Sequence, residues 1–271
     1  MTNSNPDFSR QSFLGSDAQE KITRCVVGIV GLGGGGSHIA QQLAHVGFMH
    51  YVLFDADVIE ASNLNRLVGG TQQDVSRRRP KVQIARRTIQ QVRPEADVTP
   101  IQEVWQNHPE ALRRCDLVFG CVDGFDQRRQ LEAATRRFLT PLIDIGMDVF
   151  RAEGEPPAMA GQVILSMPGF ACMTCLGFLN ERTLSREAAA YGAAGPQPQV
   201  IWPNAVLASS AVGVGIDLIT DWSQSLRKPV YLSYRGNDGT MVPHARLPYV
   251  LSSPCPHYPL EQCGAPVFTP L

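Results

Sequence analysis

Residues 25–37 read CVVGIVGLGGGGS, a β-branched apolar run that breaks into five glycines within six residues. No other stretch constrains the chain as strongly. A Val/Ile run ended by glycine predicts a buried strand over 25–31. The amphipathic pattern from Ser37 to Val46, closed by Gly47, predicts a helix. Glycines between the two let the backbone approach an anion closely. The free N–H groups and positive dipole end of the helix then point at that anion. Asp55 ends the next apolar run, 50–55, where an acid reaches a ribose hydroxyl. The unit therefore predicts a phosphate or nucleotide cradle. Alone it fits a dehydrogenase, a methyltransferase or an adenylating enzyme.

The alternation continues downstream. Helical patterns cover 79–92, with Pro80 near the start, and 126–139; strand-like runs cover 116–121 and 141–146. This predicts a parallel sheet flanked by helices. Strands are expected at 161–166 and 230–234, and a buried helix over 205–219, where Ser209, Ser210 and Asp217 interrupt the apolar run. Residues 192–204, GAAGPQPQVIWPN, predict a mobile crossing loop. No clean linker divides the chain. The expected architecture is one domain over 1–271: a Rossmann-like nucleotide-binding half, 1–150, whose sheet is extended by C-terminal strands in a partner-binding half, 151–271.

Composition narrows the partners. The 271 residues are 44% hydrophobic and 18% charged, which suffices for a sizeable core. With 24 basic and 25 acidic residues, no charge excess points to nucleic acid or a membrane. The polar start, MTNSNPDFSR, carries no apolar signal core, and a cytoplasmic location is expected. Cys25, Cys115 and Cys121 sit in or beside apolar runs and read as buried thiols.

Charged and amide residues separate the enzyme classes. Asp55-Ala-Asp57 leads into Ser62-Asn63-Leu-Asn65-Arg66; Pro80-Lys81 opens a helix; Asp123 follows the run 116–121, with Arg128 beyond. Nucleotidyl transfer needs an electrophilic α-phosphorus and a neutralised pyrophosphate. Arg66 and Lys81 suit that task, and Asp123 suits Mg²⁺, which takes one or two carboxylates plus phosphate oxygens. A nicotinamide-dependent oxidoreductase has no need of these groups, and a non-catalytic binding module has no need to keep them.

With Ser9-Arg10-Gln11, Leu14-Gly15 and GLGGGGS at 31–37, these motifs fall in the order found in the ThiF/MoeB family of sulfur-carrier adenylyltransferases, relatives of ubiquitin-activating enzymes. The chain resembles that family from about Phe8 to Cys263. The resemblance implies that Gly33, Gly34, Gly35, Gly36, Asp55, Asp57, Ser62, Asn65 and Gly124 surround ATP. It further implies that Asn63, Arg66 and Lys81 contact phosphates, that Asp123 holds magnesium, and that Arg10 completes the site of a second copy in a homodimer. The implied reaction is adenylation of the C-terminal glycine carboxylate of a small ubiquitin-like or sulfur-carrier protein. A short peptide is the alternative acceptor.

Cys172-X2-Cys175 has the spacing of half a zinc site. The C-terminus offers Cys255-Pro-His257 and Cys263, whereas the family usually shows a second CxxC. Cys172, Cys175, Cys255 and Cys263 form the simplest structural set, with His257 as a substitute for Cys263. Residues 176–254 contain no cysteine, so adenylation without a thioester on the crossing loop is expected. His38 and His45, seven apart on one helix, read as core or surface residues rather than a metal pair. Trp202 and Pro203 fit either packing or a gate for the partner's tail. Arg77-Arg78-Arg79 fits either a solvated surface or a site for pyrophosphate or an acidic partner.

Overall fold

A computed structural model describes residues 8–151, 154–190, 198–224, 229–250 and 255–259. After a 3-10 segment at Ser9–Leu14, the chain runs α1 (Ala18–Arg24), β1 (Val26–Val30), α2 (Gly34–Val46) and β2 (His50–Phe54). Then come α3 (Gln72–Ser76), α4 (Lys81–Val92), β3 (Asp97–Ile101), α5 (Pro109–Arg113), β4 (Leu117–Gly120) and α6 (Phe125–Arg137). The rest is β5 (Leu142–Phe150), β6 (Ala158–Ser166), α7 (Glu181–Ala190), α8 (Ile201–Thr220), β7 (Val230–Arg235), β8 (Thr240–Pro243) and α9 (Leu247–Val250).

One eight-stranded sheet joins both halves, in the order β3-β2-β1-β4-β5-β6-β7-β8. Its first five strands are parallel, and β6, β7 and β8 add antiparallel. The expected α/β sheet with a mixed extension is therefore present. Strand order reverses between β1 and β4. A crevice opens at such a switch point beyond the carboxyl ends of the strands, and both the glycine turn and Asp123 lie there.

The helix after β1 begins earlier than the sequence pattern indicates, at Gly34, so three of the glycines form its first turn. Gly31 (φ 87°) makes the turn itself, and a Cβ there would lie 2.6 Å from the Cys121 carbonyl oxygen. Gly36 faces Gly31, with a would-be Cβ 1.9 Å from the Gly31 carbonyl oxygen. The helix closes on Gly47, whose left-handed backbone (φ 114°) returns its N–H to the Leu43 carbonyl.

Three elements depart from the periodicity. β3 carries no clear strand pattern because Pro100 interrupts it; it forms the sheet edge, where a missing N–H is tolerated. α8 starts at Ile201, inside the expected loop, because Pro203 falls in the first turn, where its N–H has no intrahelical partner to lose. Residues 192–197 of that loop lie outside the described residues. The helix near 79–92 begins at Lys81, since Val58 and Pro80 form a β-bridge that holds the preceding residues extended. By length and composition, α8 alone among the described helices could cross a bilayer. Here it packs against α2, β5 and β6, with Leu207, Ala208 and Ala211 fully buried.

Candidate functional site: a nucleotide cleft and a cysteine knuckle

A cleft of about 1000 Å³ opens at the switch point, at the upper end of the range for small-molecule sites. Gly33 is the glycine that faces it. A Cβ at Gly33 would meet nothing within 4 Å, so its missing side chain leaves room for a ligand rather than for the protein. Gly34 and Gly35 also line the cleft but are pressed from behind by Asn204 and Ile145, while Gly36 is buried against Gly31. Ser37 joins the cradle to the arginine segment: its Oγ donates to the Gly34 carbonyl (3.0 Å) and accepts the Val68 N–H (3.0 Å).

Asp55 stands just past β2 on the cleft wall. Its carboxylate accepts the N–H of Leu32 (2.6 Å) and of Asp57 (2.9 Å), which fixes both oxygens toward the turn. Burial raises its pKa, while Lys81 and the two N–H groups work the other way. The Lys81 ammonium sits 2.7 Å from Asp57, and the Lys81 N–H donates to the Asp57 carbonyl, so backbone pairing brings the start of α4 to the cleft. Asn63 caps the turn beneath, accepting the Glu60 N–H (3.0 Å). Arg66 donates to two neutral acceptors, the Ser62 carbonyl (2.7 Å) and Asn65 Oδ1 (3.0 Å). Among the described residues no carboxylate pairs with it, so its charge remains available to an anion.

Asp123 and Gly124 form the opposite wall, at the end of β4. Arg128, one turn into α6, is buried against Asp144 and also donates to the Ile145 carbonyl (3.0 Å). The cleft thus gathers Gly33, Gly34, Gly35, Asp55, Asp57, Asn63, Arg66, Lys81, Asp123 and Gly124 of the expected set. Ser62 and Asn65 stand behind Arg66 as its hydrogen-bond partners. Arg10 is elsewhere: it is exposed on the 3-10 segment that docks at the far end of α2, where Gln11 donates to the Val46 carbonyl (2.9 Å). Thirteen helical residues, about 20 Å, separate that end from the cradle.

The lining also holds polar residues outside the expected set, among them Gln199, Glu187 and Asn204. Asn204 lies in the WPN triplet, but nothing in a single sequence marks Gln199 or Glu187. The arginine run divides: Arg79 pairs with Asp74 (2.8 Å), while Arg77 and Arg78 are exposed. Trp202 is exposed at the start of α8, and Pro203 is buried beside it. His45 is exposed; His38 is half-buried and its pKa is lowered by that burial.

A second cluster lies on β6's side of the sheet. Cys172, Cys175, Cys255 and His257 bring their ligand atoms within 4.8 Å of one another, the one such metal-capable group among the described residues. The sulfurs of Cys172 and Cys175 are 3.6 Å apart and those of Cys175 and Cys255 3.7 Å, while His257 Nδ1 is 3.5 and 3.3 Å from Cys172 and Cys175. Tetrahedral zinc with Zn–S bonds of about 2.3 Å sets S···S edges of about 3.8 Å. The spacing fits a closed Cys3His site, with His257 in the place first assigned to Cys263. Cys263 lies outside the described residues. Burial raises the Cys172 and Cys175 thiols. Burial acts the same way on Cys255, but the N–H groups of His257 and Tyr258, with hydrogen bonds from Cys172 and Cys175, outweigh it and lower that thiol. Four ligands with no open position make a structural site.

Beneath the knuckle, α6 buries Glu132 and Arg136. Glu132 accepts from Ser166 Oγ (2.5 Å) and the Met173 N–H (2.8 Å); Arg136 donates to Ser166 Oγ and to the carbonyls of Phe170 and Ala171. These bonds hold the turn that presents Cys172 and Cys175.

The fold and sequence have counterparts among known proteins. The model of the ThiF family matches residues 8–249. The chain is 31% identical over 196 residues to the sulfur carrier protein ThiS adenylyltransferase of Escherichia coli, covering 70% of this chain and 73% of that one. It is 33% identical over 153 residues to the molybdopterin-synthase adenylyltransferase of Haemophilus influenzae, covering 55% and 61%. Against ubiquitin-like modifier-activating enzyme 5 of Rattus norvegicus it is 30% identical over 189 residues, 62% of this chain but only 44% of that protein. Among solved structures, E. coli MccB with succinimide superposes with a TM-score of 0.73 at 21% identity, covering 89% and 72% of the two chains. The chain belongs to the ThiF family and is an adenylyltransferase of the ThiF/MoeB type.

Proposed function

We propose that this chain adenylates the C-terminal glycine carboxylate of a small ubiquitin-like or sulfur-carrier protein, using ATP and Mg²⁺. The observation that carries the reading is the cleft itself: a glycine cradle, Asp55 on one wall, Asp123 on the other, and Arg66, which has no carboxylate partner among the described residues, between them. Two of the relatives above, the ThiS adenylyltransferase and the ubiquitin-like modifier-activating enzyme 5, are named for carriers of this kind. On this reading Asp55 binds the ribose, the N–H groups at the start of α2 with Asn63, Arg66 and Lys81 bind the phosphates, and Lys81 exchanges Asp57 for phosphate. Asp123 would hold Mg²⁺, which when bound neutralises charge on the leaving pyrophosphate. One oxygen of the partner's carboxylate attacks the α-phosphorus, the bond to the β-phosphate oxygen breaks, and pyrophosphate leaves with that electron pair. No protein nucleophile is required. Positioning and charge neutralisation supply the rate.

The same reading takes residues 1–271 as one adenylation domain, cytoplasmic, with zinc at the knuckle of its partner-binding half. It also takes the chain as a homodimer. Arg10 is exposed and stands about 20 Å of helix from its own cradle, so a second copy is the site it would serve.

Pyrophosphate–ATP exchange tests the proposal, comparing wild type with Asp123→Ala and Arg66→Ala. Exchange dependent on a carrier protein ending in Gly-Gly, lost by about 10²-fold or more in both variants, is the expected result. Exchange driven only by a short peptide would move the acceptor to that class. A wild-type protein that binds no nucleotide would overturn the reading.

A further inference from the structure

Gln199 ties two of the nucleotide residues together. Its backbone carbonyl accepts the side-chain amide of Asn65 (2.8 Å), beside Arg66, and its own Nε2 donates to Asp123 Oδ1 (3.1 Å). It lies immediately before Val200, the N-cap of α8, whose carbonyl accepts Asn204 Nδ2 (2.8 Å). The start of α8 is therefore fastened to both walls of the cleft through one residue. Glu187 of α7 makes a parallel attachment nearby, accepting the N–H groups of Phe125 and Asp126 at the start of α6.

The amide on Asp123 occupies Oδ1, one of the two oxygens of the carboxylate that a cation needs. Mg²⁺ takes a near-octahedral shell of oxygens, several of them waters, and on this carboxylate it would draw negative charge away from the oxygen that accepts the amide. The amide hydrogens carry partial positive charge and sit on an oxygen that a cation would also seek. The two occupants of Asp123 are thus in competition.

We infer that Gln199 is a positioning residue displaced by the cation: it holds Asp123 while the metal is absent, and binding of Mg²⁺ with nucleotide releases its amide and loosens the start of α8 from the cleft. This rests on the assignment of Asp123 to magnesium made above. Its consequence is an order of binding, in which the cleft wall next to α8 is reset by Mg–ATP before the partner's chain end arrives.

The test is binding of the non-hydrolysable analogue AMPCPP to the full chain, by calorimetry, with Mg²⁺ and with EDTA. Gln199→Ala keeps the carbonyl that Asn65 uses and removes only the contact to Asp123; Gln199→Leu does the same while keeping side-chain bulk. In both, affinity with Mg²⁺ should rise by about two- to tenfold, and affinity in EDTA should stay as in wild type. Hydrogen exchange gives the second readout. Amides at 199–204 should exchange faster in wild type when Mg²⁺ joins AMPCPP, and should be fast and metal-insensitive in the variants. An equal shift with and without the metal, a weaker Mg²⁺-dependent affinity, or exchange in wild type that ignores the metal would overturn the inference while leaving the adenylation reading intact. Failure of wild type to bind AMPCPP under either condition would remove both.

Discussion

The two ends of α6 serve two kinds of site. At its start, Asp123, Gly124 and Arg128 finish a cleft whose other parts come from the turns after β1 and β2. At its end, Glu132 and Arg136 support a knuckle assembled from residues up to 85 positions apart. The cleft is shaped by backbone: glycines, strand ends and helix starts fix it before any ligand arrives. The knuckle is shaped by side chains, and its parts meet through a buried polar network and four ligands that want a metal. Arg128 lies over the Phe178 ring (5.8 Å), just past Cys175, and Phe125 packs on the same ring (5.7 Å). The two sites thus share a spacer of aromatic contacts. A backbone-built site should tolerate side-chain losses locally, whereas a network-built site should fail as a unit.

The largest effect should come from Glu132→Ala. It leaves the guanidinium of Arg136 buried with neutral acceptors only and removes the acceptor of the Met173 N–H. Loss of one partner of a buried pair costs about 3–5 kcal/mol, measurable by urea unfolding. The double variant Glu132→Leu/Arg136→Met should recover part of that loss. If Glu132→Ala unfolds like wild type, the knuckle's foundation is not the network described.

Next comes the metal itself. At 100 to 1,000 times its dissociation constant, a bound ion stabilises by about 2.7–4.1 kcal/mol. Chelation should therefore lower the melting temperature by several degrees. His257→Ala and Cys255→Ser should lower zinc content by elemental analysis, with AMPCPP affinity kept. If Cys263→Ser strips the metal and His257→Ala does not, the fourth ligand returns to Cys263.

Glycine variants sharpen the other side. Gly36→Ala drives a Cβ into the Gly31 carbonyl and should cost about 1–3 kcal/mol or more. Gly33→Ala meets nothing within 4 Å, so its stability should stay within about 0.5 kcal/mol of wild type, while nucleotide affinity falls. Equal stability losses would mean that Gly33 serves the fold and not the ligand.

The same contrast explains what the sequence could reveal. Cradle, Asp55, Lys81 and Asp123 were legible because each sits at a fixed offset from a strand end or helix start, and backbone geometry is periodic. Arg10 was legible only through family resemblance; its distance from the cradle comes from the fold. His257 could be named as a ligand but not chosen over Cys263, because the choice depends on how a distant segment meets the Cys172 turn. Gln199 and Glu187 had no signal at all: each is a polar residue outside any motif, and only the return of α7 and α8 to the cleft gives it a partner. The edge strand β3 was hidden by Pro100, and the true start of α8 by a proline that the first turn accepts.

Acid provides the gentlest way to separate the halves. On the cleft side, Asp74 is buried between Arg79 (2.8 Å) and Arg87 (2.7 Å), and Arg87 also donates to the Gly69 carbonyl (2.7 Å), steadying the chain that follows Arg66. The Arg87 guanidinium, with Thr71, holds the Asp74 carboxyl well below the usual carboxylate range. A carboxyl depressed in the folded state contributes stability that is present above its unfolded pKa of about 3.9 and is lost as pH falls toward the folded value. Unfolding free energy should therefore decline below about pH 4 in wild type. Asp74→Asn should lose about 1–2 kcal/mol at neutral pH and show a shallower decline in acid. Hydrogen exchange at 67–79 should report that difference, while the amides under the knuckle, whose polar groups are enclosed by α6 and β6, should not. An unchanged acid slope in Asp74→Asn would show that the cleft side owes nothing to this pair and that its rigidity comes from backbone alone.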